Sequence, residues 1–140
     1  MRAHIRTILG LAVALGACAA PLEDPARFQE GATGTEDDAC ADLDVELDVL
    51  APSCGGSACH GADGPAAGLD LATPGVAARL SGTASSCGEM LLVAPGDPDA
   101  SLLYVKLEPE PPCGSQMPLG GEPLDEVALG CVRDWIAGLP

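Results

Sequence analysis

The chain has 140 residues, room for one domain of ordinary size. Six Lys and Arg against 21 Asp and Glu give a net charge of −15, which argues against binding nucleic-acid phosphates. Hydrophobic residues make up 47 %, but 23 of them are alanine, and the only rings of Phe, Tyr or Trp are Phe28, Tyr104 and Trp135. Such a chain has little with which to fill a thick core of its own. Seven cysteines are many for a cytosolic domain, and an odd number leaves one without a partner.

In chain order, the first feature is a basic start, Arg2 and Arg6, followed by ten uncharged residues from 8 to 17. That is the pattern of a secretory signal; a membrane span needs about 20 apolar residues. The run ends Leu15-Gly16-Ala17-Cys18 and resembles the bacterial lipobox, in which the leader is cut before a cysteine that becomes lipidated. The resemblance implies a signal peptide over 1–17 and a lipid on Cys18. With Ala19 next, it also implies sorting to the outer membrane, facing the periplasm or the cell surface. The lipid would be the only membrane anchor. An ordinary secreted protein with a cysteine near its cleavage site is the alternative. Loss of 1–17 removes Arg2, Arg6 and His4 but no acid, so Arg27, Arg79, Lys106 and Arg133 then face 21 acids, a charge of −17. His60 becomes the only histidine.

Residues 18–39 are rich in Pro, Gly and acid without apolar period, and read as a flexible acidic tether that holds a domain of 40–140 off the membrane. Over 42–50, Leu43, Leu47 and Leu50 share a helical face with Val45 and Val49 beside it. Strict alternation would also suit a strand, but the acids at 42, 44, 46 and 48 are poor strand residues, which favours helix. Pro52 and Gly55-Gly56 are expected to end it. A loop over 61–68 and a short helix around Val76, Ala77 and Leu80 follow. Then come a polar loop over 82–88, an extended Leu91-Leu92-Val93, a turn at 95–98 and a short helix over 101–107. The last helix is the clearest: Leu124, Val127, Ala128, Cys131, Val132, Trp135 and Ile136 form one apolar face, with Gly138 placed to stop it. The expected fold is mainly α, three to five short helices joined by long Gly/Pro-rich loops, with no internal repeat.

The chemistry gathers at Cys54-Gly55-Gly56-Ser57-Ala58-Cys59-His60. A Cys-x-x-Cys-His run marks covalent haem attachment, with the thiols adding to the vinyl groups and the adjacent imidazole set to bind iron. Here the spacer has four residues, and Gly55 and Gly56 let the longer loop bulge. The motif resembles the c-type cytochromes, among which Cys-x4-Cys-His sites occur as a variant. In that family a downstream methionine, often followed by proline, is commonly the second axial ligand. Gly114-Ser115-Gln116-Met117-Pro118 fits that description, and a thioether favours ferrous iron and raises the reduction potential. With one mature histidine, bis-histidine ligation within one chain is excluded, leaving Met117, Met90, Lys106 or an open position; the loop context favours Met117.

The resemblance extends through Gly68-Leu69-Asp70-Leu71, Pro95-Gly96-Asp97-Pro98, Ser101-Leu102-Leu103-Tyr104 and Trp135-Ile136, and so spans 40–140. It implies a single-haem cytochrome c-like lipoprotein domain with its N- and C-terminal helices packed together. Cys54 and Cys59 would hold one covalent haem c, with His60 and Met117 on the iron. A disc of that size would supply the apolar bulk that the missing rings do not. The four other cysteines allow three pairings. If the terminal helices pack as the resemblance implies, Cys40–Cys131 is the natural bridge and Cys87–Cys113 follows, bracing the loop of Met117. Two alternatives stand beside this. One is a haem-free, disulfide-stapled envelope lipoprotein acting as a binding or structural module, with a third bridge Cys54–Cys59. The other is a soft copper or zinc site made of Cys54, Cys59, His60 and Met117, for which zinc lacks a full ligand set. No catalytic pair or triad stands out among the carboxylates, so the expected role is electron transfer and not enzymatic. The acid excess is either a plain solvated surface or a field that steers a basic redox partner.

Overall fold

The computed structural model describes residues 39–140; the predicted signal peptide, Cys18 and the tether up to residue 38 lie outside the described residues. Asp44 starts helix α1 (Val45–Leu50): its carboxylate accepts from the amides of Glu46 and Leu47, both at 3.1 Å. Asp48 reaches back to the Asp44 amide at 2.8 Å, so two of the acids that disfavour a strand serve as caps. The winding of α1 is π-helical, closed by the Ala51 amide on the Glu46 carbonyl.

That winding corrects two expectations. Residues four and five apart now share a face, so Val45, Val49 and Leu50 are buried while Leu47, expected inside, is 51 % exposed. Pro52 also fails to end the helix: the chain continues as α2 (Ala51–Cys54), with Pro52 in its first turn. A proline ring ordinarily clashes with the carbonyl four residues back, and a widened preceding turn relieves that contact. Termination falls to Gly55, where a Cβ would stand 2.6 Å from the Ala51 carbonyl oxygen.

After a 3-10 turn at Ala66–Gly68 comes α3 (Val76–Leu80), whose first amides are capped from a distance. The Glu46 carboxylate of α1 accepts from Gly75, Val76 and Ala77 at 2.6, 2.9 and 2.8 Å. Residues 91–93 are extended as expected, but form only isolated bridges: Ser81 with Val93, Ala84 with Leu91, Leu91 with Ser101. The short helix α4 (Leu102–Val105) buries Leu102, Leu103 and Tyr104. Its preceding Ser101 is fully buried, and its hydroxyl accepts from the Ala94 amide at 2.8 Å and donates to the Asp97 carbonyl at 2.8 Å.

The last helix, α5 (Glu126–Ala137), is N-capped by Asp125 through the Ala128 amide. Cys131, Val132 and Ile136 are buried. The two aliphatic chains contribute about 1.5–3 kcal/mol each relative to exposure. Val127, placed on the apolar face by the sequence, is 55 % exposed; it sits in the first turn, ahead of the buried stretch. Helix α5 contacts both α1 and α4. The first contact is fastened by Cys40–Cys131, with Cα atoms 5.5 Å apart. The second is lined by the Arg133 guanidinium, 5.3 Å above the Tyr104 ring and paired with Asp99 at 2.8 Å. The domain is thus mainly α, a few short helices in long connections, and among the described residues β pairing goes no further than the isolated bridges.

Candidate functional site

The loop after α2 folds back on itself. The His60 amide donates to the Cys54 carbonyl at 3.0 Å, and the Cys59 and Gly61 amides both donate to the Gly56 carbonyl, at 2.8 and 3.1 Å. The small residues are needed here: a Cβ on Gly61 would stand 3.0 Å from the carbonyl oxygens of both Gly55 and Gly56. Gly56 is sterically open, with only the Cys59 sulfur at 3.8 Å from its notional Cβ. Of the two spacer glycines it is therefore Gly55 that close approach requires.

This turn fixes the imidazole. His60 Nδ1 lies 3.2 Å from the Ala66 carbonyl oxygen and 3.1 Å from that of Leu69. Both neighbours can only accept, so Nδ1 carries the proton, and in the neutral ring Nε2 keeps its lone pair. Histidines that bind metals are oriented in this way, by a hydrogen bond from the far nitrogen. The segment 68–71 supplies this support: Leu69 gives a carbonyl, and the Leu71 amide returns to the His60 carbonyl at 2.8 Å. Asp70 tightens the turn by accepting from Ala72 and Thr73.

A cleft of about 740 Å³ opens beside this loop, within the range of small-molecule and cofactor sites. Cys54, His60 and Met117 all border it, and its walls include Leu71, Leu80 and Leu103. Cys54 is buried, and burial, with the nearby Cys59 adding to it, pushes its thiol up to about 11. The sulfur that faces the cleft therefore stays neutral.

The remaining predicted residues divide. Met90 does not border the cleft; Lys106 does, but its ammonium is already bonded to the carbonyls of Cys113, at 2.8 Å, and Ser115. Cys59 is exposed and outside the cleft lining. Cys87–Cys113 forms with Cα atoms 6.0 Å apart and ties the segment beside Ser85 and Ser86 to the loop of Met117. The pairing is the one the resemblance implied. Cys54 and Cys59 are free thiols, so the third bridge of the haem-free alternative is not formed. Among the described residues no group of three or more His, Cys, Asp and Glu gathers to hold a metal ion.

The sequence reading missed the carbonyls that orient His60 and the ammonium that organises the methionine loop. Both act through backbone oxygens, which residue type does not reveal. Comparison with protein-family models, curated proteins and solved structures gives no match to this chain. Among the described residues no helix is long and apolar enough to cross a membrane.

Proposed function

We propose that this protein is a single-haem electron carrier of the c-type cytochrome class, held at the cell envelope by a lipid on Cys18. One observation carries the reading. A single leucine-walled cleft brings Met117, from a distant part of the chain, to Cys54 and His60 of the attachment motif, and the imidazole bordering it has its far nitrogen committed to backbone carbonyls. Three of the four residues that haem c would need border the cleft, and Cys59 lies outside it. Cys54 and Cys59 would hold the group covalently through their sulfurs, and His60 and Met117 would bind its iron. Haem would supply one-electron cycling of its iron.

The chain's own residues do the rest. The leucines give the cleft a largely apolar wall, and a neutral Cys54 sulfur accepts burial that a thiolate would resist. Cys59 is the exposed half of the pair, and the bare Gly56 beside its sulfur leaves that side chain room to turn. Acidic residues dominate the surface, and the three cations of the described residues are engaged within the fold: Arg79 with the carbonyls of Asp70, Thr73 and Pro74, Lys106 in the methionine loop, Arg133 with Asp99. Such a surface favours a basic redox partner.

The deciding experiment is expression of the full chain in a bacterium that attaches haem to exported proteins. Haem absorption and an intact mass increased by one haem, stable to denaturation, are expected. A chain with neither, carrying a Cys54–Cys59 bridge instead, would establish the disulfide-stapled module. In the haem-loaded protein Met117→Ala should lower the reduction potential; an unchanged value would remove Met117 from the iron.

A further inference from the structure

Lys106 is the one lysine or arginine bordering the cleft, yet its ammonium is turned into the chain itself. Nζ donates to the carbonyls of Cys113 and Ser115, while the Lys106 carbonyl accepts from the Met117 amide at 2.7 Å. One residue thus grips both arms of the loop, by its side chain and by its backbone. Gln116 adds a bond to the Leu107 carbonyl at 2.9 Å. Gly114, at the tip, has φ +63°, and a Cβ there would stand 3.2 Å from the ammonium. Glycine is therefore set at the position where a side chain would crowd the cation.

We infer that Lys106 is the positioning residue of this site: its ammonium is the nucleus around which residues 113–117 wrap, and it holds the Met117 sulfur at the cleft. The inference rests on the haem reading for what the sulfur does, but not for how the loop is held. An ammonium donating to carbonyls forms charge-assisted bonds, stronger than neutral ones. Methionine at the same position keeps a stem of similar length and loses only the cation.

The test is Lys106→Met on the full chain, with two readouts. The first is amide deuterium exchange on the protein as purified, whether or not it carries haem. Exchange across 113–117 should quicken about tenfold, as expected for loss of bonds to a charged group, while α5 stays unchanged. The second is imidazole binding to the haem-loaded protein, which competes with Met117. Lys106→Met should raise imidazole affinity about tenfold, Met117→Ala at least as much, and the double variant no further than Met117→Ala alone. Gly114→Ala, which presses on the ammonium without removing it, should move both readouts in the same direction and serves if Lys106→Met does not fold. Unchanged exchange across 113–117 in both variants overturns the inference, as does full additivity in the double variant. If Met117→Ala leaves imidazole affinity unaltered while Lys106→Met raises it, Lys106 is itself a ligand and the inference falls. A chain without haem but with the exchange effect sinks the functional reading and leaves the role of Lys106 standing.

Discussion

Glu46 offers the sharpest test of how the cleft is built. Its carboxylate accepts three amides at the start of α3, at 2.6, 2.9 and 2.8 Å, across some 30 residues of chain. Helix α3 has five residues, too few to hold its shape alone, and it buries Val76 and Leu80, the latter in the cleft wall. An N-cap is worth about 0.5–2 kcal/mol and a hydrogen bond to a charged group about 1.5–3. Gly75 can turn to water when its acceptor is lost, whereas the Val76 and Ala77 bonds are partly buried. Glu46→Ala should therefore cost about 2–4 kcal/mol, and Glu46→Gln, which keeps one acceptor oxygen, about half as much. Urea unfolding of the oxidised protein measures this as a shift in midpoint at constant slope, with Glu126→Ala, exposed in the first turn of α5, as a control. Faster deuterium exchange at 75–77 should accompany the loss. A Glu46→Ala protein within about 0.5 kcal/mol of the parent would refute the reasoning, because the three bonds would then be no better than bonds to water.

The two bridges should rank by the loop each closes. In the chain-entropy relation, removing Cys40–Cys131, across 91 residues, costs about 4.6 kcal/mol, and Cys87–Cys113, across 26, about 3.5. Paired Cys→Ser variants in denaturant check the order, and a reversed ranking rejects it. Asp70 is held below the usual carboxylate range by hydrogen bonds from the Thr73 side chain and amide. Its folded pKa lies below the unfolded one, so its contribution is present above the unfolded value and is lost as pH falls through the folded one. The stability gap between the parent and Asp70→Asn should accordingly close below about pH 4, and a gap independent of pH counts against it. In haem-free protein iodoacetamide at pH 8 should alkylate exposed Cys59 well before Cys54, whose thiolate fraction is about one in a thousand. Equal rates would mean that Cys54 is not buried.

Much of the architecture was legible because it rests on side-chain type. The apolar stripe from Ala128 to Ile136 marked α5, the acids at 42–48 argued helix over strand, and Pro95-Gly96-Asp97-Pro98 marked a turn. The errors share a cause. The usual helical period places Leu47 on the inner face of α1, and the π-helical winding that buries Val49 while exposing Leu47 carries no residue-type signal. Pro52 misled for the same reason. At the site, the sequence put Cys54, His60 and Met117 in one constellation, and all three border one cleft. Cys59 it grouped with them on spacing alone, and the side chain is exposed outside the lining. In the sequence Glu46 is only one of the acids that disfavour a strand, because its target is formed by backbone amides that exist once α3 has folded.

Every polar group bordering the proposed haem cleft is either neutral or already satisfied. Cys54 is held as a thiol by burial, Met117 is a thioether, His60 spends its Nδ1 proton on the Ala66 and Leu69 carbonyls, and the Lys106 charge is absorbed by two more. In a chain so rich in carboxylates this is a marked local exception, since the cleft lining contains no Asp or Glu. The scarcity of rings belongs to the same arrangement. The lining is leucine where a self-sufficient core of this size would carry aromatic bulk, and leucines around a cleft of about 740 Å³ leave a broad apolar surface turned toward whatever fills it. A flat apolar group that brings its own bulk and takes neutral nitrogen and sulfur ligands suits such a lining; a hydrated ion would find neither carboxylates nor enough ligands. If the proposed haem fills this cleft, the poverty of aromatic residues and the neutrality of the lining are two consequences of one design, in which the chain supplies the frame and leaves the apolar bulk to the cofactor.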